Sequence, residues 1–518
     1  MYYKFLTMAN FNFKRWNLIL GWVAFGVAFL TYALTVEPTV GFWDTGEYIL
    51  TSSKLEVGHP PGAPLFQMLG AFFSIFASEP AQIGLVLNMM SAAASAFTIL
   101  FMFWSIVLLL QKITTKESES NTNKQTAILG AAFVGSLSFA FTDSFWFNAV
   151  ETEVYAMATL IMAVMFYLGL RWEKEMNTPR GNRWLILISF IVGLSFGVHF
   201  MGLLTIPAIG LLYYFKNYKT ITPKNFILAN IVVVAVLLFI FKLLAPNILR
   251  YFSALEIFFV NSVGLPFNSG SIIALILLVL FIYLGLNYSK KKGHVILNTS
   301  LLCITFIIIG FTTWLMLPIR ANANVPVNEN NPSSARELLA YYNLEQYPKT
   351  HLFYGPQFTD QYAGLDENQP YVDDKPKYEK DKKSGRYVVV NDYENAIQNY
   401  NSNHGSLLPR MWSGEHAENY MIYSGALEFS IKPEYSMQNE LRSLVNDFRK
   451  AITEGEVDFE GYHDFLKTYG RYLDIEKPSL IDNVYYLFDY QIGYMYWRYF
   501  MWNFSGRQDD IQGKMDLH

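Results

Sequence analysis

Long apolar runs alternate with short polar loops through the first three-fifths of the chain, and from Ala321 the pattern turns polar. A membrane-spanning helix needs about 20 predominantly apolar residues. Such runs lie near 16–36, 85–111, 126–146, 152–170, 184–198, 200–215, 226–245, 271–288 and 295–318. The fifth and sixth are short and predict two tight helices meeting near His199. A further apolar stretch, Gly62 to Ala77, is preceded by prolines and is only about 16 residues long, short of a span. It reads as an interfacial or re-entrant helix, which membrane depth tolerates only where it packs in protein or lines a cavity. The first run, Leu18 to Val36, has no small-residue cleavage site and reads as a retained helix rather than a signal peptide.

Charge orients these runs. With the N-terminus inside, the inside segments carry Lys4, Lys14, Arg15, Lys112, Lys116, Lys124, Arg171, Lys174, Arg180, Arg183, Lys216, Lys219, Lys224, Lys290, Lys291 and Lys292. The short outside loops hold only Lys54 and Arg250, with Lys242 near the outer end of a helix. This is the positive-inside asymmetry. A crossing by Gly62 to Ala77 would reverse every later loop and destroy it. The first outer loop, 37–84, and everything after Arg320 are therefore expected outside.

Within the polar third, "KYEKDKKSGRYVVV" predicts a β-hairpin turning at Ser384 and Gly385, and "EYSMQNELRSLVNDFRKAI" has helical periodicity. The segment "VYYLFDYQIGYMYWRYFMWNF" is dense in interfacial aromatics, but Asp489 and Arg498 make it a poor span. It predicts an aromatic helix packed on the domain or on the membrane surface. The expected fold is thus a polytopic α-helical membrane protein, a transmembrane bundle over 1–320 followed by a mixed α/β extracytoplasmic domain over 321–518.

Composition agrees. The 518 residues are 52% hydrophobic and 16% charged, with a net charge of -4. No basic tail or patch suggests nucleic acid. The single cysteine, Cys303, lies in an apolar run and excludes a disulfide framework or a thiolate metal site. No nucleotide-binding or zinc-peptidase motif occurs.

Candidate chemistry concentrates on the outer side. "GFWDTGEYILTSSKLEVGHPPGAPLFQ" places Asp44 and Glu47 three residues apart, on one face of a helical turn. A helix start with Asp44 as cap and Glu47 as capping-box partner is the ordinary alternative. The stiff "HPPG" that follows and the ring of His59 favour a site. "WFNAVETEVYA" brings Glu151, Glu153 and Tyr155 to the outer start of the fourth helix, where acids also suit the helix dipole. His199 lies between the two short helices. Arg320 ends the last span, either as a snorkelling anchor or as a phosphate ligand. Carboxylates and one arginine at the lipid boundary suit transfer of a sugar from a polyprenyl phosphate to a hydroxyl, with a carboxylate as general base. No cofactor is required; a divalent metal is compatible but not indicated.

"FWDTGEYILTSSKLEVGHPPGAPLFQMLGAFF", "FWFNAVETEVYAM" and "LPIRANANVPVNENNP" resemble glycosyltransferase family 117, once called domain of unknown function 2723. That family belongs to the GT-C superfamily and is related to protein O-mannosyltransferases. The motifs frame residues 36–331. The resemblance implies a GT-C-type bundle, expected in a bacterial inner membrane with a periplasmic C-terminal domain; the polyprenyl-phosphate sugar donor and a protein or glycan acceptor are expected from the site residues, and the family does not specify them. It also implies that Asp44 is the catalytic acid of the first outer loop; from the residues themselves, Glu47 is expected to be catalytic beside it and His59, Glu153, Tyr155, His199 and Arg320 to bind substrate. "RYFMWNFSGRQDDIQG" resembles a segment of longer members, so the chain is expected to be part of a longer protein. Two other classes compete. A lipid-linked saccharide carrier should show internal repeats, and none is seen. A non-catalytic envelope assembly subunit would leave the acid cluster without a purpose.

Overall fold

The computed structural model describes residues 11–114, 122–347, 351, 353–409 and 417–506. Lys4, Lys116 and the closing motif from Arg507 lie outside the described residues. In chain order, α1 (Phe13–Leu34) is followed by two loop helices, α2 (Thr45–Lys54) and α3 (Pro64–Ser74). Then come α4 (Ile83–Ile113), α5 (Thr122–Ala140), α6 (Asp143–Ala149), α7 (Val154–Glu175), α8 (Asn182–Ser195) and α9 (Thr205–Asn217). The series continues with α10 (Pro223–Leu238), α11 (Ala245–Ile257), α12 (Ser269–Lys291), α13 (Val295–Phe311), α14 (Met316–Ala321) and α15 (Ala335–Tyr342).

Among the described residues, six helices are long and apolar enough to cross a membrane, or seven if α5 and α6, bent by 69°, form one span. Every expected run is helical. The two runs flanking His199 become α8 and α9, with 14 and 13 residues. Each is about 20 Å long, against a hydrocarbon core of about 30 Å. The 11 residues of α3 reach only about 16 Å. The run expected at 226–245 continues as one 40-residue helix to Ser262. A π-helical turn, Phe239–Leu244, precedes Pro246, which lacks an amide and cannot continue a regular ladder. Tyr342 donates its hydroxyl to the Phe241 carbonyl within that turn. Arg250, expected in an outer loop, therefore sits inside a helix.

Lipid gives helices no hydrophobic reason to associate, so close packing of small residues carries the bundle. In α1, Ala24, Ala28 and Tyr32 pack with Ala92, Ala96 and Ile99 of α4. Helices α8 and α13 cross at Gly193 and Gly310, where a Cβ would lie 2.2 Å from the Ile307 oxygen and 2.4 Å from the Phe190 oxygen. The two ends of α7 differ in charge. At its C-terminal end Glu173 binds Lys112 (2.7 Å) and Lys216 (3.4 Å), and Glu175 binds Arg183 (2.8 Å). Basic residues expected on one side of the membrane thus meet at one end of the bundle. Glu153 and Tyr155 stand at the other end, about 30 Å away by helical rise.

Contacts divide the chain into two units: 1–346 with 380–387, and 347–379 with 388–518. Residues 321–346 stay with the helices because Val57 and Asn328 form a parallel bridge and Tyr341 donates to the Gly58 carbonyl at 2.6 Å. The tip of the expected hairpin also belongs there. Tyr387 exchanges two backbone bonds of 2.8 Å with the Asn261 side chain, and its hydroxyl donates to buried Glu256 at 3.0 Å. Glu256 also accepts the Asn268 and Ser271 amides at the start of α12 (2.6 and 2.7 Å), where a helix dipole favours an anion.

The second unit has short antiparallel pairs, Tyr354–Pro356 with Gly405–Leu407, Tyr371–Val372 with Ile397–Gln398, and Phe429–Ile431 with Leu473–Ile475. Its core is largely aromatic, including Phe358, Tyr420, Phe465, Tyr486 and Tyr490. The expected helix appears at Asn439–Thr453, and the aromatic segment is helical from Leu480 to Ser505 with a π-helical middle.

Candidate active site

Asp44 immediately precedes α2 in the capping position, but its side chain makes no capping bond. Glu47 does not return to the Asp44 amide either. Its Oε1 accepts the His59 amide at 2.7 Å, and its Oε2 meets His59 Nδ1 at 2.9 Å. The capping-box alternative is therefore not what these acids do. Gly58 makes the contact possible, since a Cβ there would stand 2.6 Å from Glu47 Oε1. The other ring nitrogen, Nε2, lies 3.8 Å from Asp44 Oδ2. His59 thus sits between two carboxylates, and the hydrogen bond to Glu47 raises its proton affinity against the opposing effect of burial. Burial alone would raise Glu47, but its bonds to His59 outweigh that and hold it below the ordinary carboxylate range. The turn carrying His59 is pinned by two 3.0 Å bonds, Val57 amide to Val327 carbonyl and Glu329 amide to Val57 carbonyl.

The turn between α6 and α7 faces Asp44. Glu153 is buried, and burial, Asp44 and Glu151 together push its carboxyl up to about 7, although the Val154 and Asp44 amides partly stabilise its anion. Glu151, buried and near Glu37, is also pushed up to about 7. Tyr155 follows in the first turn of α7, and its ring meets that of His199 at 5.2 Å and a tilt of 57°. His199 accepts the Met201 amide at 3.1 Å, starting the turn before α9, and burial lowers its proton affinity. Asp44, Glu47, His59, Glu153, Tyr155 and His199 therefore form one chain of neighbours.

Arg320 is placed differently. Its Nε donates to the Leu55 carbonyl and its Nη2 to the Lys54 carbonyl at 3.1 Å. These carbonyls end α2, about 15 Å along the helix from Asp44. The guanidinium holds the helix that carries the acids and is not brought to them.

Three neighbours escaped the sequence reading. Glu329 lies in the quoted "NENNP" and is felt electrostatically by both Glu47 and His59. Tyr48 on α2 is surrounded by Glu153, Asp44, Glu47 and Tyr155, and burial first, then these groups, push its phenol far above its ordinary value. Asn88, buried on α4, was hidden in an apolar run, although a polar residue inside a span is itself a signal. Asp44, Glu47 and His59 each offer one ligand atom, all within 4.8 Å of one another, and are the residues that could hold a cation.

The helices and this cluster define a multi-pass membrane protein with a carboxylate-rich site at one end of its bundle. Residues 44–222 match the family model described as the protein O-mannosyl-transferase TMEM260 N-terminal domain, which bears out the resemblance drawn from the motifs. Residues 348–488 match a family of unknown function, DUF8416. The protein O-mannosyl-transferase tmem260 of Dictyostelium discoideum is 25% identical over 190 residues, covering 34% of this chain and 21% of the relative. Protein O-mannosyl-transferase TMEM260 of Mus musculus is 25% identical over 167 residues, 32% of this chain and 21% of the relative. The matched segment thus spans about a fifth of the length of these relatives. No solved structure matches.

Proposed function

We propose that the chain transfers a sugar, mannose by analogy with its relatives' names, from a polyprenyl-phosphate donor to a protein hydroxyl. The reaction takes place on the outer face of a bacterial inner membrane, with the N-terminus cytoplasmic and the second unit periplasmic. The carrying observation is the meeting of Asp44, His59 and Glu153, from two separate loops, at the bundle end opposite the basic cluster.

Asp44 takes the proton of the acceptor hydroxyl as its oxygen bonds to the sugar C1 and the C1–phosphate oxygen bond breaks. The polyprenyl phosphate leaves with that electron pair. His59 lies between two acids that favour its protonated form, and in that form it offsets charge on the departing phosphate. Glu153, whose neutral form burial and the neighbouring acids favour, orients the sugar with less repulsion of the donor, and Tyr155 with His199 borders the site. Because His59 supplies the positive charge, no metal is needed in this reading.

The test incubates the full chain in membranes with a polyprenyl-phosphate-linked radiolabelled mannose and an acceptor peptide bearing serine or threonine. Label on the peptide hydroxyl, unchanged by EDTA, is expected. Label transferred only to lipid or glycan would overturn the protein acceptor, and loss with EDTA would assign the ion to Asp44, Glu47 and His59.

A further inference from the structure

We propose that Asn88 is the positioning residue of this site: its carboxamide, together with the Thr152 hydroxyl, fixes the segment leading to Asp44 against the turn that carries Glu153. The inference rests on the reading above, in which these acids act in transfer.

Asn88 is fully buried near the start of α4. Its Nδ2 donates to the Glu37 carbonyl at 2.7 Å and the Thr39 carbonyl at 3.0 Å, which are main-chain atoms of the segment that runs into Asp44. Its Oδ1 accepts the hydroxyl of Thr152, also fully buried, at 2.5 Å. Both donors of one amide therefore hold the first loop while its acceptor holds the second. One backbone bond, Glu37 amide to Val150 carbonyl at 3.0 Å, runs alongside.

A buried carboxamide in an apolar helix is costly unless all its bonds are made. An apolar residue would fill the space, but it could not tie two loops to one rigid helix. Glu153 feels the result. Asp44 and Tyr48 on the first loop and α2, Glu151 on its own turn, and Tyr155 on α7 face it. If the loop drifts, water reaches the carboxyl and Asp44 moves away. Glu153 then gives up its proton at lower pH.

The test compares Asn88→Ala, Thr152→Val and Thr152→Ser in the full chain in detergent. One readout is the infrared C=O stretch of the protonated Glu153 carboxyl, identified by its loss in Glu153→Gln. The other is kcat and donor KM separately. Asn88→Ala and Thr152→Val are expected to lower the midpoint at which the band disappears. They are also expected to reduce kcat about tenfold with donor KM within about twofold, as displacement of reacting groups does. Thr152→Ser keeps the hydroxyl and both wild-type values. An unchanged midpoint and kcat in Asn88→Ala and Thr152→Val, or a Thr152→Ser that behaves like Thr152→Val, would overturn the proposal. If Asn88→Ala does not fold, the threonine pair decides alone. Absence of transfer in the wild type would refute the transfer reading, while the infrared midpoint still decides the positioning.

Discussion

Glu47 holds His59 twice, by the backbone amide and by the ring, and so leaves Nε2 facing Asp44. The pair has a pH signature. Glu47 is held below its ordinary 4.5, so its share of stability is present above 4.5 and lost as pH falls through its folded value. His59 is raised above 6.5, so its share is present below 6.5 and lost as pH rises through its folded value. Glu47→Gln should lower stability most between these limits. The loss should be about 1 kcal/mol, since both groups are partly exposed. Thermal unfolding in detergent across a pH series checks this; a curve parallel to wild type would contradict it.

Glu153 and Glu151, both pushed up to about 7, work in the opposite sense. Their contribution to stability is fully present below 4.5 and fades as pH rises through about 7, because the folded site resists ionisation. If the neutral form of Glu153 is the working one, transfer should decline above about 7. Glu153→Gln, permanently neutral, should lose the part of that alkaline decline that Glu153 contributes and keep the part due to His59. A pH–rate profile settles the point, and an unaltered alkaline limb would exclude Glu153 as its source.

Arg320 holds carbonyls that a helix end leaves without partners. Arg320→Ala should lower stability by about 1–3 kcal/mol and leave donor affinity within about twofold. A large loss of donor affinity with unchanged unfolding temperature would instead place the guanidinium on the donor phosphate.

The helices were legible because hydropathy is a local property: each of the nine apolar runs is helical, and the hairpin and the Asn439–Thr453 helix lie where turn residues and periodicity placed them. Asp44, Glu47, His59 and Glu153 could be singled out as ionisable residues in unusual surroundings. What joins them could not. Asn88 reaches Thr152 across 64 positions and Tyr341 reaches Gly58 across 283, and no local pattern encodes either bond. The partners of Arg320 were illegible for a related reason. A guanidinium beside a membrane serves phosphate and orphan carbonyls equally well, and only the tertiary position of α2 decides between them. The continuation of the helix past Pro246 was hidden because a π-helical turn has no hydropathy signature.

Sidedness has its own test. Glu173 with its two lysines and Glu153 with Asp44 mark opposite ends of α7. Reporter fusions after Lys292 and after Asn331 should therefore report opposite compartments, with the second outside. The same compartment for both would refute the proposed topology.

The most direct measurement is turnover and donor affinity in Asp44→Asn, taken separately. The substitution keeps the shape and removes the proton acceptor next to His59. Loss of a positioned base costs about 10²–10⁴ in rate. Asp44→Asn should therefore lose transfer by that factor while binding the polyprenyl-phosphate sugar as tightly as the wild type. Turnover near wild type in Asp44→Asn would contradict the account and would make Glu47 the candidate base.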